Sequence, residues 1–135
     1  MSDFNQQVIA EFRANHGRVG GRFEGAPLLL LHSTGAKSGQ ERVNPMMYLR
    51  DGERYVVFAS RAGADTHPDW YRNLKAHPEV RIEVGDEELA VRAVEVTGEE
   101  RDRLYAQQTA LYPRFGDYQD QTSRVIPVVA LLPTD

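Results

Sequence analysis

The chain has 135 residues, 41% of them hydrophobic and 27% charged, which suits one domain around one hydrophobic core and argues against disorder or a fibrous repeat. A formal net charge of −4 makes nucleic acid a poor first partner, and the lack of any cysteine excludes disulfides, thiol chemistry and cysteine zinc sites. No stretch approaches the ~20 apolar residues that span a bilayer and no signal peptide is legible, so a single cytoplasmic domain over residues 1–135 is expected.

Asp3 to Asn15 reads as an amphipathic helix, with Phe4, Val8 and Phe12 four apart. Such a helix can cover a core; it could also rest on a membrane surface, although Asp3 and Glu11 weaken that contact. Pro27 to His32 is a strand whose four leucines need apolar cover on both faces. Ser33 to Gln40 is a loop, and Glu41 to Arg50 a second strand, at an edge or bulged because Pro45 lies inside it. Asp51-Gly52 is a hairpin signal leading into a strand over Arg54 to Ser60.

Pro68 to Ala76 reads as a short helix with Asp69 in its first turn. Val80 to Val84 turns at Gly85-Asp86 into Leu89 to Val96, whose apolar phase shifts near Ala93 and predicts a bulge there. Thr97 and Glu100 make the pattern of a capping box for a helix to about Leu111. Tyr112 to Ser123 reads as an aromatic connection, and Val125 to Leu132, with Pro127 inside, as the closing strand. The sum is a mainly β (α+β) fold: a six-stranded antiparallel β-barrel with an N-terminal helix and two or three inserted helices.

Charge is unevenly spread. Between Glu79 and Asp102 nine acids face Arg81, Arg92 and Arg101, whereas between Ser33 and Arg50 the bases Lys37, Arg42 and Arg50 face Glu41 alone. The run Ser33-Thr34-Gly35-Ala36-Lys37-Ser38-Gly39 with Arg42 just beyond supplies what an anion needs: hydroxyls, bare backbone at the glycines, a mobile point charge and a bidentate fork. The G-x-x-x-x-G-K-[ST] spacing of a Walker loop is absent. Glycine, serine and lysine also make ordinary solvated turns, and composition alone favours that plainer reading.

Three more segments shift the balance. Asn44, Met46 and Tyr48 alternate on one strand face around Pro45. Ala59-Ser60-Arg61-Ala62-Gly63-Ala64 ends a strand in small residues that let a flat ring approach the backbone. Trp70-Tyr71-Arg72-Asn73-Leu74 adds aromatic bulk and an amide. The run T-G-A-K-S-G-Q-E-R-V-N-P-M-M-Y followed by W-Y-R-N-L-K-A-H-P resembles the deazaflavin-dependent nitroreductase and F-420-dependent quinone reductase family of the FMN-binding-like split β-barrel superfamily, and the likeness extends from about Phe4 to Leu132.

That resemblance implies coenzyme F-420, an 8-hydroxy-5-deazaflavin with a phosphodiester and an oligoglutamate tail. It implies a phosphate loop at Ser33, Thr34, Lys37, Ser38, Gly39 and Arg42, continued by Asn44, Pro45 and Met46. The ring would lie against the backbone of Ala59, Ser60, Arg61, Ala62 and Gly63, with Arg61 reaching the tail. Asn73 matches the family's amide; Trp70 belongs to the same matched segment and suits packing best. The reaction implied is hydride transfer from reduced F-420 to a quinone, enone or nitro-type acceptor, with Tyr48 orienting or protonating it, Ser60 beside it, and Tyr112 or Tyr118 as a movable wall. FMN in the same barrel, and a carrier that binds without turnover, are the competing readings. His32, His67 and His77 fall in separate elements without metal-ligand spacing, so no metal is expected, and no G-x-S-x-G elbow supports a serine triad. Oligomeric state is left open.

Overall fold

A computed structural model describes residues 3–23 and 25–134. Helix α1 (Asp3–Ala14) is followed by strands β1 (Leu28–Thr34), β2 (Glu41–Met47), β3 (Leu49–Asp51) and β4 (Arg54–Phe58). Then come α2 (Asp69–Ala76), β5 (Glu79–Val84), β6 (Glu87–Val96), α3 (Gly98–Leu111), α4 (Arg114–Asp120) and β7 (Val128–Pro133). The strands form one antiparallel sheet in the order β2-β1-β5-β6-β7-β4-β3.

The order explains the strand that was expected to run unbroken from Glu41 to Arg50. Its first part pairs with β1 and its last part with β4, at opposite ends of the sheet order. The chain changes partner at Tyr48, whose N–H goes to the Pro27 carbonyl at 3.2 Å. One residue therefore joins the two ends, and the sheet curls into a split barrel. Six strands become seven because ladder partner, not chain continuity, defines a strand. Pro45 sits opposite Leu30 on the edge strand β2, where its missing N–H leaves no partner waiting.

Alternation along the strands divides the core into layers. Leu29 and Leu31 of β1, Tyr55 and Val57 of β4, Ile82 of β5, Val91 of β6 and Val129 and Leu131 of β7 fill the barrel interior, and Tyr71 and Leu74 of α2 plug it. Val56, Phe58, Val96, Val128 and Ala130 face outward beneath α3 and α4, through Leu104, Tyr105 and Phe115. Leu28 and Leu30 pack under α1, against Val8, Ile9 and Phe12. The leucine run of β1 is thus covered on both faces, as its composition demands.

Helix α1 is further pinned by Arg13, which donates to both carboxylate oxygens of Glu83 at 3.2 and 2.7 Å. Its buried stripe faces the barrel, so the idea of a membrane-resting helix finds no support here. No helix among the described residues is long and apolar enough to cross a membrane.

Four local expectations need correction. The β6–β7 ladder runs without a break from Val91 to Val96, so there is no bulge at Ala93. The apolar phase shifts because Val91 serves the interior whereas Val96 lies under α3. Thr97 precedes α3 in extended conformation but its side chain makes no cap hydrogen bond. Residues 112–123 are not simply a connection, since they contain α4, and Pro127 precedes β7 rather than interrupting it.

Candidate functional site

Ser33 and Thr34 end β1 and the basic loop spans residues 35–40. The loop closes on itself: the Gly35 N–H donates to the Gln40 carbonyl at 2.8 Å and the Gly39 N–H to the Gly35 carbonyl at 2.9 Å. A Cβ on Gly35 would lie 2.5 Å from Ser38 Oγ, which is why this position carries no side chain. Ser38 Oγ in turn accepts from the Gln40 N–H at 3.2 Å. The conformation is held from outside by Asn73 of α2. Its Oδ1 accepts from the Ala36 N–H at 3.0 Å and its Nδ2 donates to Ser33 Oγ at 3.3 Å. Asn73 and Ser33 are both buried.

Lys37 and Arg42 are exposed, and neither is engaged by a carboxylate among the described residues. Arg42 stands opposite Ser33, Asn44 opposite Leu31 and Met46 opposite Leu29. Cross-strand partners share a face, so Arg42, Asn44 and Met46 continue the inward side of β2 from the loop toward the barrel. The basic loop thus opens onto one strand face.

The second candidate segment is the turn that leaves β4. Arg61 (φ 46°), Ala62 (φ 53°) and Gly63 (φ 83°) are three consecutive left-handed residues. Two of them carry a Cβ, at a cost of about 1–2 kcal/mol each. Arg124 offsets that cost. Its Nε donates to the Ala64 carbonyl at 2.8 Å, Nη1 to the Ala59 carbonyl at 3.1 Å, and Nη2 to the Ser60 carbonyl at 2.8 Å. Nη1 also lies 2.9 Å from His67 Nδ1, which must then accept. Charged hydrogen bonds contribute about 1.5–3 kcal/mol each, so three exceed the strain.

Gly63 is fixed from the other side, since a Cβ there would lie 3.0 Å from the Tyr118 carbonyl and 2.8 Å from Gln121 Oε1. Burial first, and then the Arg124 charge, push the His67 pKa below its ordinary value.

The residues expected to meet the acceptor do not all converge. Ser60 is nearly buried, and its hydroxyl takes no cap hydrogen bond. Tyr112 and Tyr118 pack against the outer cluster around Phe58 and Phe115, as does Met47. Arg114 lies over Tyr112 at 6.0 Å and donates to Met47 Sδ at 3.5 Å. Tyr48 instead packs against the interior cluster, edge-on to Tyr55 at 5.4 Å, and burial raises its pKa. Tyr48 and Tyr112 thus belong to opposite faces of the sheet. Arg61, expected to reach an anionic tail, donates to Thr66 Oγ1 at 2.5 Å. Trp70 packs against the interior cluster, in line with a packing role.

Two cavities open on the molecule, and the smaller one is lined in part by Ser33 and Thr34 at the start of the basic loop. One of about 340 Å³ opens between α2 and β6, by Tyr71, Lys75, Val94 and Glu95, and one of about 250 Å³ lies beside His32 and Glu41. Neither is lined by Lys37, Arg42 or the 60–63 turn. Among the described residues no three His, Asp or Glu side chains gather to hold a metal.

Arg124, the most connected side chain of the turn, is a residue that sequence reasoning passed over. It lies 64 positions from Ser60, and only the pairing of β4 with β7 brings the two together. Met47 is the second omission: it faces away from Met46 and Tyr48, toward the cluster that holds Tyr112.

Comparison with known proteins gives a consistent result. The profile of the F420H(2)-dependent quinone reductase family matches residues 5–133. An F420H(2)-dependent quinone reductase of Mycobacterium tuberculosis is 44% identical over 128 residues, covering 90% of this chain and 85% of that protein. Among solved structures, an F420-H2 dependent reductase, FDR-A, superposes with a TM-score of 0.71 at 40% identity, covering 78% of this chain and 93% of its own. A structure described as a domain-swapped dimer has a TM-score of 0.73 at 35% identity, with 93% and 94% covered.

Proposed function

Because the chain belongs to the F420H(2)-dependent quinone reductase family, we propose that the 35–42 loop grips the anionic tail of F-420 and that the 60–63 turn receives its ring. The protein is an oxidoreductase with a quinone-type acceptor. The observation that carries the division of labour is the pair of cations uncommitted among the described residues, Lys37 on a loop closed by its own backbone bonds and braced from inside by Asn73, and Arg42 on the strand that follows it. Charge without a protein partner, on a rigid loop, suits a ligand with several negative groups. FMN, the other ligand weighed, carries one phosphate and leaves both cations to share it.

When bound, reduced F-420 supplies the hydride. The chain's own contribution is binding, orientation and charge. Lys37 and Arg42 neutralise the tail, and Asn44 and Met46 line the approach; Pro45, opposite Leu30, lies on the other face of β2, toward α1, and is not part of it. Backbone N–H groups of the turn face the ring, where they can stabilise negative charge without reorganising. Ser60, with its unengaged hydroxyl, and Tyr112 orient the acceptor, with Tyr118 and Met47 as its wall. Tyr48 is assigned to the barrel interior instead. The cytoplasm remains the expected compartment, from the sequence alone.

The test is a fluorescence titration with oxidised F-420 and with FMN, followed by mixing with reduced F-420 and a panel of quinones. F-420 should bind in preference to FMN and a quinone should be reduced. The Lys37→Ala/Arg42→Ala variant should bind F-420 at least a hundredfold more weakly, two charged hydrogen bonds being worth about 3–6 kcal/mol together. Preference for FMN would defeat the cofactor assignment, and tight binding without turnover would favour a carrier.

A further inference from the structure

The 60–63 turn leaves a small set of backbone donors without acceptors. The Ala59 N–H is taken by the Pro127 carbonyl, and the Gly63 and Ala64 N–H groups return to the Ser60 and Arg61 carbonyls. Among the described residues, the N–H groups of Ser60, Arg61 and Ala62 have no backbone acceptor. Ser60 is right-handed helical (φ −77°, ψ −35°) and Arg61 left-handed (φ 46°). That right-then-left pair turns successive N–H groups toward one point, the backbone nest that binds anions.

We propose that Arg124 is the positioning residue of the F-420 site: by gathering the carbonyls of Ala59, Ser60 and Ala64 on one side of the turn, its guanidinium holds the N–H groups of Ser60, Arg61 and Ala62 on the other, as a nest for an electron-rich oxygen or nitrogen at the ring edge. This rests on the F-420 reading above. An arginine is required because the acceptors are spread over residues 59–67 and are met by Nε, Nη1 and Nη2 at once. A rigid planar fork spans them, whereas the ammonium of a lysine donates from a single point. The positive charge behind the nest also adds to its pull on an anion. The Arg61 side chain is turned away to Thr66, so this position presents backbone rather than charge.

The experiment compares wild type, Arg124→Lys and Arg124→Lys/Ala62→Gly by F-420 titration, thermal melting, and amide exchange at residues 60–62 without ligand. Arg124→Lys keeps the charge and loses the fork. It should weaken F-420 binding tenfold or more, with faster exchange at the turn and a melt that stays cooperative. Glycine at position 62 adopts positive φ without strain and should recover part of that affinity, which a general loss of stability would not allow. In wild type, which needs no variant to fold, F-420 should shift the amide resonances of Ser60, Arg61 and Ala62.

Wild type that binds F-420 without moving those resonances overturns the proposal, as does an Arg124→Lys variant that binds within twofold of wild type. Wild type that binds no F-420 removes the cofactor reading itself and the proposal with it, an outcome distinct from the other two.

Discussion

Asn73→Asp separates the geometry of the basic loop from its charge. Asn73 accepts from the Ala36 N–H at 3.0 Å and donates to Ser33 Oγ at 3.3 Å. An aspartate keeps the acceptor, and the Ser33 hydroxyl can reverse to donate, so both bonds survive, while desolvation of the carboxylate at this buried position should lower the melting temperature by several degrees without abolishing the fold. The substitution also places a negative charge beside the loop. If the bound phosphate lies roughly 8 Å away, the repulsion is about 0.5 kcal/mol at water-like screening and about 2 kcal/mol at the screening typical of a protein surface. F-420 binding should therefore weaken by roughly 2- to 30-fold, and less at high salt.

Asn73→Ala is the companion. It removes both bonds and leaves the Ala36 N–H without an acceptor, at a cost of about 2–4 kcal/mol, or on the order of 10 °C in melting temperature. F-420 titration and thermal melting of both variants make the assay. If folded Asn73→Asp binds F-420 as well as wild type at low salt, the loop does not hold an anion and the reasoning fails.

Gly63→Ala should destabilise by about 2 kcal/mol or more and slow turnover, because a Cβ at φ 83° meets the α4 backbone at Tyr118; a melting temperature within a degree of wild type would refute this. Gln108 is fully buried and neither polar atom of its side chain has a partner among the described residues, so Gln108→Met should raise the melting temperature, as followed by calorimetry. His67 has a depressed folded pKa, so its contribution to stability is complete above about pH 6.5 and falls as the pH drops through the folded value, where the unfolded chain takes the proton first. Wild type should consequently lose more melting temperature between pH 7.5 and pH 5 than His67→Gln, whose amide oxygen can still accept from Arg124. Equal losses would show that Arg124 does not depend on that acceptor.

Much of the proposed site could be nominated from sequence because its candidate residues are contiguous. Lys37, Ser38, Gly39 and Arg42 lie within six residues, and Ala59 to Gly63 form one small-residue stretch, so a resemblance carried by short contiguous runs could single out an anion loop and a ring platform where composition alone favoured an ordinary turn. What could not be read locally is what holds them. The clamp on the turn comes from Arg124, the brace on the loop from the same α2 that plugs the barrel, and the wall beside Tyr112 includes Met47 rather than Tyr48. Each of these depends on which face of the sheet a residue serves, and alternation shows that two faces exist without saying which helix covers each.

Elements behaved the same way. The leucine run of β1, the position of α2 and the β5–β6 turn follow from short-range pattern, because burial on two faces, helix starts and glycine turns are decided within a few residues. The division of 41–51 at Tyr48, the unbroken β6 ladder through Ala93 and the idle side chain of Thr97 do not. The first two were settled by pairing between strands far apart in the chain, where each residue's partner is chosen by the closing of the barrel and not by its sequence neighbours.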